Sequence, residues 1–181
     1  MKIRESGMPA EDLWMTFFDA EVILDRMGLR SLHRDVVDLG CGYGTFSLPA
    51  TRRTNGSVYA FDVEPDMVRV TRQKAGQLGV ENLIVTQRDI LSAGTGLLDG
   101  SAGYVMVFNI LHAAQPLTLL AEAYRVLCPG GRVGVIHWNP DPTTPRGPPM
   151  DIRPRPEQCR AWLRAAGFTV PPGIVSLPPF H

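Results

Sequence analysis

The chain has 181 residues, of which 44% are hydrophobic and 20% are charged, a composition typical of one globular domain with a sizeable core. Its 18 basic and 18 acidic residues cancel, which argues against a protein that holds DNA or RNA mainly through phosphate contacts. No apolar stretch reaches 18 residues and no signal peptide is recognisable, so we expect neither membrane insertion nor secretion.

The first predicted element is a helix from Pro9 to Met27 that stops at Gly28. Trp14 and Phe18 widen its apolar face beyond what a minimal buried stripe requires. Two interpretations stay open: these aromatics pack in the core, or the helix covers an active site. In either case we expect residues 1–34 to form an N-terminal helical cap.

From residue 36 onward, strand and helix patterns alternate, which is typical of a parallel sheet. The predicted strands span residues 36–39, 57–62, 83–87, 103–109 and 132–138. The predicted helices among them span residues 44–52, 65–78 and 117–127. The sequence therefore predicts an α/β fold with a doubly wound, mostly parallel sheet over residues 35–138 and helices on both faces.

The segment 139–156 contains seven prolines, which predict an irregular loop after the fifth strand. A loop of this length in a compact domain is usually functional or mobile. The remaining residues, 157–181, predict a helix that reaches Ala166, a stop at Gly167 and an edge strand that begins at Phe168.

The most informative segment runs from Val36 to Gly44 and reads VVDLGCGYG, a buried strand followed by alternating glycines. Glycines at this place let the backbone turn tightly and approach a ligand closely. A dinucleotide-binding loop would favour a small residue where Thr45 stands, and Asp38 would repel a pyrophosphate. S-adenosylmethionine carries a sulfonium and no phosphate, so the chemistry of this loop favours S-adenosylmethionine over NAD.

This segment resembles the first motif of class I S-adenosylmethionine-dependent methyltransferases, and further matches in order cover residues 35–138. The resemblance implies a Rossmann-like fold with S-adenosylmethionine as the cofactor. It places the following loop residues at the cofactor: Asp38, Gly40, Cys41, Gly42, Tyr43 and Gly44. In that family a sixth strand pairs with an antiparallel seventh, which here would be absent or truncated because the sequence stops at His181. The edge left unpaired could join two copies as a homodimer.

Asp62 stands at the carboxyl end of the second predicted strand, 24 residues after Asp38, close to the spacing at which an acid meets a ribose. Its two carboxylate oxygens suit the vicinal hydroxyls of adenosine. The alternative is a helix N-cap ahead of Pro65, where Asp is also favoured. We expect Val63 and Met67 to offer an apolar surface to the adenine ring.

The third strand is followed directly by Arg88, Asp89 and Ile90, which stand where ligands bind in a doubly wound sheet. The resemblance implies that Asp89 accepts a hydrogen bond from the adenine amino group and that its two neighbours flank the ring. The alternative is a solvated turn acid. Together with Asp38 and Asp62, Asp89 makes one acidic rim that would attract a cationic ligand and repel a phosphate-rich one.

The fourth predicted strand ends at Asn109 and is followed by Leu111 and His112. In the resembled family, the residues at this place border the methionine moiety and the methyl group. The Asn/Asp-Pro-Pro-aromatic signature of amide and base N-methyltransferases is absent there. The segment instead resembles the small-molecule branch, which includes quinone-type methyltransferases.

His112 is the candidate general base, because an unperturbed imidazole titrates near pH 6.5. Its alternative is a structural histidine bound to a carbonyl. His137, which with Trp138 ends the fifth strand, is a second candidate. A metal site made by these histidines and Cys128 is rejected, since their spacing matches no ligand pattern.

We therefore expect a single domain, residues 1–181, that transfers a methyl group from S-adenosylmethionine to a small-molecule acceptor. A non-catalytic module that binds S-adenosylmethionine or a partner stays open as an alternative, and an NAD(P)-dependent oxidoreductase is less favoured. The widely spaced cysteines, Cys41, Cys128 and Cys159, suit a reduced, cytoplasmic protein. The Pro-rich loop 139–156 and the aromatic face from Trp14 to Phe18 are expected to form a lid over the acceptor.

Overall fold

A computed structural model describes residues 8–141, 143–177 and 180–181. Its five strands are β1 (Asp35–Leu39), β2 (Val58–Asp62), β3 (Leu83–Gln87), β4 (Ala102–Phe108) and β5 (Leu127–Ile136). Its helices are α1 (Glu11–Met15), α2 (Ala20–Arg26), α3 (Ser47–Ala50), α4 (Pro65–Gln77), α5 (Ile90–Ala93), α6 (Pro116–Val126) and α7 (Pro156–Ala165), with a 3₁₀ turn at Thr51–Arg53. None of the helices in these ranges is long and apolar enough to cross a membrane.

The strands form one sheet in the order β3-β2-β1-β4-β5, and each neighbouring pair is parallel. Alternate residues of the strands enter different cores, because successive side chains of a strand point to opposite faces. On β1, Val36 packs with the N-terminal helices, whereas Val37 packs with α6; on β4, Met106 and Val105 divide in the same way. The predicted doubly wound sheet with helices on both faces is confirmed.

The strand order reverses between β1 and β4, since the chain moves outward to β2 and β3 and then returns to the other side of β1. In open α/β sheets, the crevice at such a reversal lies outside the carboxyl ends of the strands and receives the ligand. The glycine loop follows β1 and Asn109 follows β4, so the topology places both beside this crevice.

The predicted helix from Pro9 to Met27 is wrong in one respect, because the structure divides it into α1 and α2. Asp19 caps the second helix by accepting a hydrogen bond from the Val22 N–H at 3.1 Å. Phe17 and Phe18, at the break, are both buried in the core. Adjacent residues point about 100° apart in a helix, so the break allows both rings to enter the core. Residues 1–7 of the predicted cap lie outside the described residues.

The fifth strand starts five residues earlier than predicted, at Leu127, which pairs with Ala102. The next pair is Tyr104 with Arg132, so Cys128–Gly131 form an excursion between the two pairs. The Pro129-Gly130-Gly131 sequence lies in this excursion, and α6 ends at Val126, one residue before the predicted end of that helix.

The edge strand predicted from Phe168 is absent, since residues 168–170 are irregular. Gly167 has a φ of 96°, and the turn brings the Phe168 ring to 5.1 Å from that of Tyr124 on α6. This contact holds Phe168 against the helical layer and away from the sheet edge. The Pro-rich loop is irregular as predicted, apart from Pro142, which lies outside the described residues.

Candidate active site

A cavity of about 310 Å³ opens at the carboxyl ends of the strands, where the topology places the crevice. The predicted site residues that line it are Asp38, Gly40, Cys41, Gly42, Asp62, Val63, Arg88, Asp89, Ile90, Asn109 and His112. They come from the carboxyl ends of β1 and β2 and from the loops after β1, β2, β3 and β4, so the fold brings together four segments separated in the sequence.

Four predicted cofactor residues lie outside the cavity lining: Tyr43, Gly44, Met67 and Leu111. The Tyr43 hydroxyl donates to the Pro9 carbonyl at 2.9 Å, so its ring faces the N-terminal segment. A Cβ on Gly44 would lie 2.8 Å from Thr71, which shows that this glycine packs tightly against α4. Leu111 is fully buried in the core beside α6. Tyr43, Gly44 and Leu111 thus pack against neighbouring segments and do not line the cavity.

The glycine loop is fixed to the end of β2 by hydrogen bonds. The N–H groups of Gly40 and Cys41 donate to the Phe61 carbonyl at 2.8 and 2.9 Å. Gly40 has a φ of 80°, and a Cβ there would lie 2.8 Å from Ile110, which follows β4. Glycine is therefore required for the conformation of the loop and for its close approach to the neighbouring turn.

Asp62 joins the glycine loop to the start of α4. Its Oδ2 accepts a hydrogen bond from the Gly42 N–H at 2.8 Å, and its Oδ1 accepts one from the Glu64 N–H at 2.9 Å. The alternative interpretation of Asp62 as the N-cap is wrong, because the N-cap residue of α4 is Glu64. Burial raises the pKa of Asp62 above its ordinary value, an effect that these two hydrogen bonds oppose. Each oxygen retains acceptor capacity for a ligand.

Asp38 is buried beneath the glycine loop and accepts a hydrogen bond from the Ser47 hydroxyl at 2.5 Å. Burial raises its pKa to about 7; the Ser47 hydroxyl opposes the rise and nearby Asp62 adds to it. A cation bound in the cavity would favour the charged forms of both carboxylates. Sequence reasoning missed Ser47, because only the turn of the loop into α3 brings it back to Asp38.

Asp89 borders the cavity and also begins a helix, since its Oδ1 accepts the Leu91 N–H at 3.1 Å as the N-cap of α5. The Arg88 guanidinium donates to the carbonyls of Gly94 at 2.5 Å and Ala93 at 2.8 Å. Arg88 and Asp89, two of the three residues of the predicted adenine segment, therefore hold the α5 turn in place along the wall of the cavity.

Asn109 stands where β4 ends and has a φ of 59°, a left-handed conformation that is uncommon for residues other than glycine. Its N–H donates to the Ile136 carbonyl at 2.8 Å. Both polar atoms of its side-chain amide are buried and have no hydrogen-bond partner in the described part of the chain. A buried amide without partners is costly, so this side chain is a strong candidate for ligand contact.

His112 lies on the cavity wall, and its Nδ1 is 3.4 Å from the Nε2 of His137. The two rings are roughly perpendicular, with centroids 5.5 Å apart. The structure therefore gives His112 an imidazole partner, where the structural alternative had proposed a carbonyl. No set of three or more His, Cys, Asp or Glu side chains within the described ranges could hold a metal ion.

Of the aromatic residues expected to cover the acceptor, only Trp14 lines the cavity. Its indole N–H donates to the Thr45 hydroxyl at 3.1 Å. Phe17 and Phe18 do not face the cavity, because both pack in the core around Trp138. Within the Pro-rich loop, residues 146–148 lie on the cavity wall near the predicted site residues.

A buried arginine that sequence reasoning missed holds this loop together. Arg153 donates hydrogen bonds to the backbone carbonyls of Asn139, Arg146 and Pro148 at 2.9–3.1 Å, and its guanidinium also contacts the Thr144 hydroxyl. Burial lowers its pKa. The sequence does not distinguish Arg153 from Arg146 and Arg155 in the same Pro-rich segment, since its acceptors are defined only by the path of the folded loop.

A family model described as a methyltransferase domain matches residues 36–131, just over half of the chain. The chain is 27% identical over 175 residues to a demethylmenaquinone methyltransferase of Thermus thermophilus, covering 80% of this chain and 78% of that protein. It is 31% identical over 112 residues to a nocamycin O-methyltransferase of Saccharothrix syringae, covering 60% and 39% respectively. A crystal structure of a SAM-dependent methyltransferase from Aquifex aeolicus superposes with a TM-score of 0.75 at 27% identity, covering 92% and 86%.

Proposed function

The chain belongs to the methyltransferase-domain family, and from this premise we propose that it transfers the methyl group of S-adenosylmethionine to a small-molecule acceptor. The observation that carries the proposal is the acidic rim of the cavity. Asp38 lies near the end of β1, Asp62 ends β2 and Asp89 comes after β3; these strands are adjacent, and the three side chains line one space. This arrangement suits a cationic sulfonium ligand and disfavours a pyrophosphate.

The residues around the cavity fit the cofactor. Asp62 would accept hydrogen bonds from the ribose hydroxyls, and Asp89 would accept one from the adenine amino group, with Val63 and Ile90 against the ring. The unpartnered amide of Asn109 would bind the polar end of the methionine moiety. When bound, S-adenosylmethionine supplies an electrophilic methyl group on sulfur. The contribution of the protein is then to exclude water and to align the acceptor.

The acceptor would occupy the part of the cavity beside His112. Trp14, Trp138 and Pro148 also line this cavity and offer apolar surfaces to a ring-containing molecule. The two named relatives are a demethylmenaquinone methyltransferase and a nocamycin O-methyltransferase, so methyl transfer to small molecules is found among similar proteins. We assign His112 the role of general base.

Four further statements remain proposals. We propose that residues 1–181 form one domain, that the partner is a small molecule and not a nucleic acid, and that the protein is cytoplasmic. The three cysteines are free, which is compatible with a reducing compartment. We also propose a homodimer through the edge of β5, which has no further strand beside it in the described part of the chain.

Titration calorimetry with S-adenosylhomocysteine and with NADH tests the proposed function. We expect saturable binding of S-adenosylhomocysteine and none of NADH, because the acidic rim would face the pyrophosphate of NADH. Binding of NADH alone would replace the proposal with an oxidoreductase. If the protein binds S-adenosylhomocysteine but transfers no methyl group to any acceptor of a broad panel, the result would favour a non-catalytic binding module.

The glycine loop gives a second expected result, from Gly42→Ala compared with Gly79→Ala. Both glycines have positive φ values, 52° and 63°, so both variants incur a similar strain of about 1–2 kcal/mol. A Cβ on Gly42 would lie 2.9 Å from the Met8 sulfur at the cavity, whereas a Cβ on Gly79 would meet no atom within 4 Å.

We expect both variants to lose similar thermal stability, but only Gly42→Ala to bind S-adenosylhomocysteine more weakly, by roughly tenfold or more. Calorimetry and thermal denaturation on the same samples measure the two effects. Equal affinity in the two variants would show that the cofactor does not approach Gly42.

A further inference from the structure

Two histidines that lie beyond the ends of adjacent parallel strands form a chain of contacts that leads from the backbone to the cavity. His137 follows β5 and His112 lies beyond the end of β4. The Nδ1 of His137 is 3.5 Å from the Trp138 carbonyl oxygen, and its Nε2 is 3.4 Å from the Nδ1 of His112. The order of atoms is therefore carbonyl, His137, His112, cavity.

Both rings are neutral near pH 7. Burial lowers the pKa of His137 to about 3, with positive charge on His112 as the next cause. Burial also lowers the pKa of His112, and the Arg153 guanidinium adds to the effect. A neutral imidazole has one N–H donor and one acceptor nitrogen, so the chain of contacts has to run in one direction.

The direction is set by the carbonyl, because a carbonyl oxygen can only accept. The Nδ1 of His137 therefore carries its hydrogen, and the Nε2 of His137 carries the lone pair. It follows that His112 donates from Nδ1 and that its own Nε2 is left with a lone pair. That Nε2 has no hydrogen-bond partner in the described residues and is not among their buried unpartnered atoms.

We propose that His137 is a positioning residue that fixes the tautomer of His112, so that the Nε2 lone pair of His112 is available to an acceptor with a dissociable proton, such as a hydroxyl. This inference rests on the proposed function and narrows its substrate class. The acceptor oxygen forms a bond to the methyl carbon as its proton moves to the Nε2 of His112. The sulfur retains the electron pair of the broken carbon–sulfur bond, and the imidazolium of His112 later returns the proton to water.

His137 is what keeps the His112 ring in this tautomer. Without an acceptor at its Nδ1, His112 would be free to adopt the Nε2–H tautomer that predominates for a free histidine side chain. That tautomer has its lone pair on the buried side and cannot accept a proton from the cavity. The substrate-facing lone pair thus depends on a residue 25 positions away in the sequence.

Ring-nitrogen chemical shifts of ¹⁵N-histidine-labelled protein test the proposal at pH 7.5 without a known acceptor. We expect the Nδ1 of His112 to be protonated and its Nε2 unprotonated in the wild type. His137→Gln places an amide oxygen near the position that the Nε2 of His137 occupies, and should preserve this tautomer. His137→Leu removes the acceptor, and His112 should convert largely to the Nε2–H form. His137→Asn, whose amide is too short to reach His112, should give the same result as leucine if the leucine variant fails to fold.

Two results would overturn the proposal: an Nε2–H tautomer of His112 in the wild type, or an unchanged tautomer in both the leucine and the asparagine variants. The same samples are titrated with S-adenosylhomocysteine, whose affinity should change by less than about threefold in all variants. If the wild type does not bind S-adenosylhomocysteine, the proposed function is refuted, but the tautomer assignment is unaffected. Failure of the proposed function can therefore be distinguished from failure of the tautomer proposal.

Discussion

Asp62→Asn is expected to weaken S-adenosylhomocysteine binding by about 1.5–3 kcal/mol, which is roughly 10- to 150-fold in the dissociation constant. The substitution keeps the shape of the side chain but replaces a charged acceptor of ribose hydroxyls with a neutral amide. The amide also has only one oxygen for two backbone donors, the N–H groups of Gly42 and Glu64. We therefore expect a small loss of stability as well, and calorimetry with thermal denaturation separates the two effects.

Asp35→Asn is the matched control. Asp35 is the first residue of β1, at the opposite end of the strand from the cavity, and its Oδ1 accepts the Ser57 N–H at 2.9 Å. The control loses the same charge, its amide oxygen can still accept the Ser57 N–H, and it should bind S-adenosylhomocysteine with wild-type affinity.

A ligand analogue distinguishes direct contact from loop ordering at Asp62. If the carboxylate accepts the ribose hydroxyls, the 2′,3′-dideoxy analogue of S-adenosylhomocysteine should bind less tightly to the wild type but lose little further affinity in Asp62→Asn. Additive losses would mean that Asp62 acts only by ordering the glycine loop.

Arg153→Met is expected to release the Pro-rich loop from the body of the protein. The guanidinium donates to three backbone carbonyls of residues 139–148, and methionine fills similar volume without any donor. Hydrogen bonds from a charged group contribute about 1.5–3 kcal/mol each, but the released carbonyls would gain water. We expect the free energy of local opening to fall by about 2–4 kcal/mol, with a smaller change in global stability.

Trypsin measures this opening, because Arg146 lies within the loop and is followed by Gly147. Cleavage after Arg146 should become roughly 30- to 1,000-fold faster in Arg153→Met if cleavage follows the open population. Arg164→Met, at an exposed position of α7, removes an arginine without releasing the loop and should leave this rate unchanged. Equal cleavage rates in the two variants would show that Arg153 does not secure the loop.

The cavity residues at the ends of β1 and β2 could be predicted from the sequence, because their signals are local. A buried strand followed by glycines and an acid at the end of the next strand each identify themselves within a few residues, and the parallel sheet places them on one rim. Tyr43 and Leu111 show the limit of this reasoning. Both belong to the right segments, but the rotation of the chain at each position directs their side chains away from the cavity.

The sequence by itself determined the alternation of strands and helices, the loop after β1 and the acidic rim, since periodicity, turn residues and strand ends are properties of short segments. Only the tertiary structure decided the features that depend on contacts between distant segments. Packing in the core divides the N-terminal helix at Phe17 and Phe18, and contact with Tyr124 turns Phe168 away from the sheet edge. The pairing of β4 with β5 brings His112 to His137, and the path of the folded loop encloses Arg153, because partners and burial are set by the packing of the whole chain.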